Sequence, residues 1–191
     1  MMKCGLRKRF FRYSSYRARG AFTIIELIVV IAVILVLAGL VLATSSYVHN
    51  KAARSRAEAE IAAMSAALEN YKADNGVYPN DTSTNPQSSW NPADYAAGSL
   101  TLYKAISGDA DNDANRTAEA KSYMTFKPNQ LAPTDQTLAV TYIKDPFGNS
   151  YGYSTAGQAG TNGVGYNPTF DLWSTAAGTM DTDVPKWIKN W

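Results

Sequence analysis

The sequence predicts an α+β protein: a long N-terminal α-helix whose first half is membrane-spanning, packed through its second half on a small C-terminal antiparallel β-sheet. Three observations carry this. Residues 22–43 form a 22-residue run that is apolar except at Thr23, Glu26 and Gly39. Helix-forming residues then continue without a proline to Asn75. Beyond residue 136, short stretches rich in β-branched and aromatic residues alternate with Asp-Pro, Gly and Asn turns.

The first 21 residues hold seven of the 18 Lys and Arg and no acid, whereas the other eleven and all 16 Asp and Glu follow, a net of −5. A basic leader before an apolar run marks the end that stays in the cytoplasm. An acidic remainder argues against a nucleic-acid partner. The single cysteine, Cys4, lies in that leader, so no intrachain disulfide forms.

The run from Phe22 to Ala43 exceeds the about 20 residues needed to span a bilayer as a helix. A secretory signal peptide is one reading, but its apolar core would be about 7–15 residues. A plain single-pass anchor is another, and it leaves Glu26 unexplained. An acid inside a membrane-length segment is costly and is retained where it has a partner and a task. The third reading rests on Gly20-Ala21 followed by Phe22-Thr23-Ile24-Ile25-Glu26-Leu27. Here the chain resembles the type IV pilin and type II secretion pseudopilin superfamily. The resemblance implies a pilin-like fold, a cut before the apolar run by a prepilin peptidase, and N-methylation of the new terminus. The family prefers Gly before the cut and Glu fifth after it. Cutting after Gly20 would make Glu26 sixth, whereas cutting between Ala21 and Phe22 makes it fifth, and the Phe-to-Glu spacing favours Ala21/Phe22. Phe22 is then the methylated residue. Glu26, one turn on, would meet the positive terminus of a neighbouring subunit during assembly, each charge lowering the other's desolvation cost.

The helix is expected to run from Phe22 to about Asp74, about 80 Å at 1.5 Å per residue. Ile61, Met64, Leu68 and Tyr71 recur at three- and four-residue spacing and form its core stripe. Lys51, Arg54, Arg56, Glu58, Glu60 and Glu69 are placed on the solvated face. Asn75-Gly76, with Pro79 beyond, is the stop. His49, the single histidine, is far in sequence from any candidate nucleophile.

Residues 77–135 are rich in Asn, Asp, Ser and Pro, with a short helix expected over Leu100–Ser107. Asp109, Asp111 and Asp113 are spaced like the start of an EF-hand loop, but Ala114 and Ala120 stand where Gly and Glu are needed, so a solvated turn is expected. Three strands follow: Thr137–Ile143, Tyr151–Ser154 and Phe170–Ser174. Asp145–Asn149 turns the first into the second. Gly157, Gly160, Gly163 and Gly165 mark a loop without phosphate-binding spacing.

A second resemblance, to the major pseudopilin of type II secretion, rests on Tyr71–Pro79, Asp145–Asn149 and Phe170–Ser174 followed by acids and a terminal Trp. The span 81–135 is not covered and reads as an insertion. The resemblance implies a calcium ion on the loop after the last strand, with Asp181 and Asp183 as its ligands here, although the family often has an acid where this chain has Gly178. The domain organisation is then a leader at 1–21, a membrane or filament-core helix at 22–43, its amphipathic continuation at 44–75 and a periplasmic head at 76–191. The implied partners are copies of the chain, minor pseudopilins, the peptidase, an inner-membrane assembly platform, and lipid before assembly. A structural, non-enzymatic filament subunit for protein export follows. A type IV pilin for adhesion, motility or DNA uptake is the alternative within the family. A membrane-anchored periplasmic enzyme or binding module is the alternative outside it.

Overall fold

The computed structural model describes residues 22–113, 115–159 and 164–191. The chain divides into two units, Met1–Ser45 and Ser46–Trp191. Helix α1, Ile24–Asn75, belongs to both. It starts two residues later than Phe22 because Thr23 caps it: the Leu27 N–H donates to the Thr23 carbonyl at 3.2 Å. It stops where expected. Gly76 takes φ +79°, a left-handed conformation that favours glycine, and its N–H closes on the Lys72 carbonyl at 2.7 Å.

In the first unit the large apolar side chains from Phe22 to Leu42 are exposed, none less than 48%. Among the described residues α1 is the one helix long and apolar enough to cross a membrane.

The second unit has a core of its own. Ala57, Ile61, Met64, Ala67 and Leu68 of α1 are buried in it, confirming most of the expected stripe, while Tyr71 lies half-buried with its ring edge-on to Tyr123. Met64 and Leu68 are fully buried, and removing a side chain of that size from such a site costs about 2–5 kcal/mol. Helix α2, Ala96–Ser107, begins four residues earlier than expected, after a 3-10 turn at Pro92–Tyr95 capped by the Asn91 side chain. It sends Leu102, Tyr103 and Ile106 into the same core.

The β-structure is two small antiparallel sheets. Strands β1, Leu131–Ala132, and β2, Tyr142–Ile143, form one; β3, Gly152–Ser154, β4, Asp171–Ser174, and β5, Ile188–Lys189, form the other in that order. The expected Thr137–Ile143 strand is thus reduced to its last two residues. The reason is that side chains have taken the polar groups a ladder would use. Asn112 holds both the N–H and the carbonyl of Val140, and Arg116 collects the carbonyls of Pro133, Asp135 and Leu138. The other two expected strands each lose their first residue, and β5 adds an unexpected partner to β4, Ser174 facing Ile188.

Asp145 builds the turn between β2 and β3. Its Oδ1 accepts the Phe147 and Asn149 N–H groups at 3.0 and 2.8 Å, and its Oδ2 accepts the Ser174 hydroxyl, tying the turn to β4. It is buried, and burial raises its carboxyl above the ordinary range. A second cluster stacks Trp173 on Trp187, with Tyr95 edge-on to both.

Glu60 departs from expectation. Its residue is 9% exposed, and the carboxylate accepts from Arg56 Nε at 2.8 Å, Gln130 Nε2 at 2.9 Å and the Tyr151 hydroxyl at 2.7 Å. An acid with three donors in a protein interior is a tether rather than a solvated charge.

Candidate functional site

Two places carry the functional residues: the start of α1 and the acid-bearing loops of the second unit. At the first, Thr23 stands just outside the helix and accepts the Glu26 N–H on its hydroxyl at 3.2 Å. A helix start leaves N–H groups unsatisfied, and a threonine side chain supplies an acceptor. Glu26 therefore sits in the first turn, where a negative charge suits the helix dipole. Phe22 is 83% exposed. No basic side chain pairs with Glu26 among the described residues. Gly20 and Ala21, the two sides of the alternative cuts, lie outside the described residues, as do Gly160 and Gly163 of the glycine-marked loop.

Of the acids, Asp181 is exposed, and its Oδ1 accepts the neighbouring Thr182 N–H at 2.7 Å. Asp183 is bound by the Lys186 ammonium at 2.9 Å and accepts the Thr179 N–H at 3.3 Å. That ammonium keeps the Asp183 carboxyl below its ordinary range. Among the described residues the acids that converge are Asp109, Asp111 and Glu119, which each offer one oxygen within 4.8 Å of the others. Two of them belong to the expected turn; Asp109 is buried against the Tyr103 hydroxyl at 2.7 Å. His49 is exposed and shares an open hollow with Asn50, Arg56 and Pro146, which holds no nucleophile.

The prokaryotic N-terminal methylation motif matches residues 16–42, the span that contains Phe22, Thr23 and Glu26. The chain is also 44% identical over 66 residues to the type II secretion system core protein G of Pectobacterium carotovorum subsp. carotovorum. By its N-terminal methylation motif and this local match, the chain is similar to the type IV pilins and pseudopilins. The match to core protein G covers 35% of this chain and 42% of that protein, so less than half of the relative's length is spanned. No solved structure matches.

The long helix and small antiparallel β-structure, here split into two sheets, are the pilin-like layout expected from the sequence. Three residues have structural roles beyond those read from the sequence. Thr23 had a signal, since Thr-x-x-Glu is the spacing of a capping box. Glu60 had none, because its partners Gln130 and Tyr151 lie 70 and 91 residues away. Asp145 was assigned to a turn, but its burial depends on Ser174, 29 residues further on.

The implied calcium can be tested against the loop from Ser174 to Trp187. Calcium takes six to eight oxygens at about 2.3–2.6 Å. Here several of the oxygens are already directed at donors of the chain itself. Both Asp183 oxygens face donors, as does Oδ1 of Asp181. The carbonyls of Thr175, Met180 and Val184 accept the N–H groups of Gly178, Asp183 and Trp187, and that of Lys186 accepts Arg54 Nη1. At Gly178 a Cβ would stand 2.5 Å from the Asp183 Cβ, so the acid common in the family has no room. Both Asp183 oxygens, one Asp181 oxygen and four carbonyls of this loop are thus engaged by the chain's own donors.

Proposed function

We propose that the chain is a structural subunit of a type II secretion pseudopilus. The observation that carries this is the start of α1: a capped helix with Glu26 in its first turn, leading an apolar face exposed from Phe22 to Leu42. Exposed apolar area of this extent is stable only in lipid or against other apolar helices. The name of the relative, a type II secretion core protein, supports the secretion role over the adhesive or motile one.

In this reading the precursor is held in the inner membrane with its leader in the cytoplasm and its second unit in the periplasm. A prepilin peptidase cuts between Ala21 and Phe22, and the Phe22 amine is methylated. The subunit then leaves the lipid for a filament of copies of itself and related subunits, engaging an inner-membrane assembly platform. Glu26 pairs with the amine of Phe22 on a neighbour. Two opposite charges removed from water together lose less than either would alone. The work is mechanical and the chain catalyses no reaction.

Mass spectrometry of the mature terminus checks the processing: methyl-Phe22 is expected, and an uncut chain would leave a plain anchor. Glu26→Ala is expected to be cut normally and to be absent from sheared filaments; normal incorporation would remove the role given to Glu26. Loss of protein export in a strain lacking the chain is expected, and intact export with lost motility or adhesion would instead favour a pilin.

A further inference from the structure

We propose that the loop after β4 is closed by the chain's own ammonium, Lys186 on Asp183, in place of a divalent cation, so that its order does not depend on calcium. The inference rests on the resemblance to the pilin and pseudopilin superfamily and not on the secretion role.

The loop must reverse the chain between β4 and β5 within the thirteen residues from Thr175 to Trp187. It does so at a backbone cost: Ala176 and Ala177 both take left-handed conformations, φ +51° and +69°. For residues with a Cβ such conformations need support from their surroundings. Loop acids that face one another would repel and would call for a cation between them. This loop solves the problem internally. Lys186 reaches back three residues to Asp183 at 2.9 Å. Asp183 in turn draws in the Thr179 N–H, and its own N–H bonds the Met180 carbonyl. The carbonyl of Lys186 is anchored from outside by Arg54 Nη1 of α1 at 2.9 Å. A positive group is therefore already seated on the acid that a cation would need. The close approach of Asp183 to Gly178 excludes the further carboxylate that would complete a metal site. One lysine and one glycine thus make this turn self-contained.

The experiment uses the full chain in detergent micelles, with hydrogen exchange at the Thr179 and Asp183 amides read in chelator and in millimolar calcium at matched ionic strength. Wild type is expected to exchange at the same rate in both. Lys186→Gln is expected to exchange several-fold faster, and Lys186→Arg to restore the slow rate. Slower exchange of these amides in calcium, abolished in Asp183→Asn, would overturn the proposal. So would a Lys186→Gln variant with wild-type exchange. Calcium held by Asp109, Asp111 and Glu119 would leave the Thr179 and Asp183 rates unchanged and would support it.

Discussion

At Thr23 and Glu26 a short sequence signature has two separable jobs. The threonine hydroxyl satisfies the N–H of Glu26, and the Glu26 side chain is left over for a partner. Thr23→Ala should therefore cost about 1 kcal/mol of helix-start stability, seen as faster amide exchange at Glu26 in micelles, with cleavage before Phe22 retained. Glu60 is the opposite case, a charge consumed inside the molecule. Glu60→Ala strands the Tyr151 hydroxyl, on a residue with no exposure, and should cost about 1–3 kcal/mol, read from thermal unfolding. Asp145 responds to pH in a defined direction. Burial is the leading cause that raises its folded carboxyl above 3.8, so the native state prefers the neutral form. Its contribution is full below 3.8 and is lost as pH rises through the raised folded value. Asp145→Asn removes that loss, so melting curves of variant and wild type should diverge in the variant's favour as pH is raised above 4. A constant gap would mean that the carboxylate is no burden when buried.

Among the elements, α1 was the most legible. Its length, stop and most of its stripe follow from composition and 3.6-residue periodicity, which are local properties. The strands were less so, because a strand is defined by what it pairs with. Thr137–Leu138 has the composition of a strand and is not one, since Arg116 and Asn112 hold the neighbouring backbone. Ile188–Lys189 is too short to show alternation and is made a strand by Trp173 and Ser174. The start of α1 was legible as a functional site because its motif is contiguous. The closure of the Ser174–Trp187 loop was not, because whether Asp183 faces a lysine or an ion depends on folded geometry. Close packing between β3 and β4 gives a further expectation. A Cβ at Gly152 would stand 2.1 Å from the indole of Trp173, so Gly152→Ala should destabilise by about 1–3 kcal/mol and disturb Trp fluorescence. Wild-type emission and unfolding in that variant would show that the indole has room to move.

For the whole molecule, the two units have different requirements. Ser46–Trp191 buries its own core, whereas the described part of Met1–Ser45 presents apolar side chains that need company. The 81–135 span, which the resemblance to the major pseudopilin leaves uncovered, is not an appendage, because α2 supplies Leu102, Tyr103 and Ile106 to the main core. Deleting it should therefore abolish cooperative unfolding of the second unit rather than trim a surface; a cooperative melt in the deletion would contradict this.

Glu60 also has a meaning under load. In the proposed filament, a subunit that is pushed or pulled carries force along its helix, and that force must reach the sheet somewhere. Tyr151 and Gln130 grip one carboxylate, which is itself steadied by Arg56 one turn away. The grip lies beside the apolar contacts of Ala57, Ile61 and Met64, so a tug on α1 is met as shear spread over several residues. Loosening Glu60 would concentrate strain at the remaining contacts, and the tether would then set the rupture force of the subunit as much as its melting temperature.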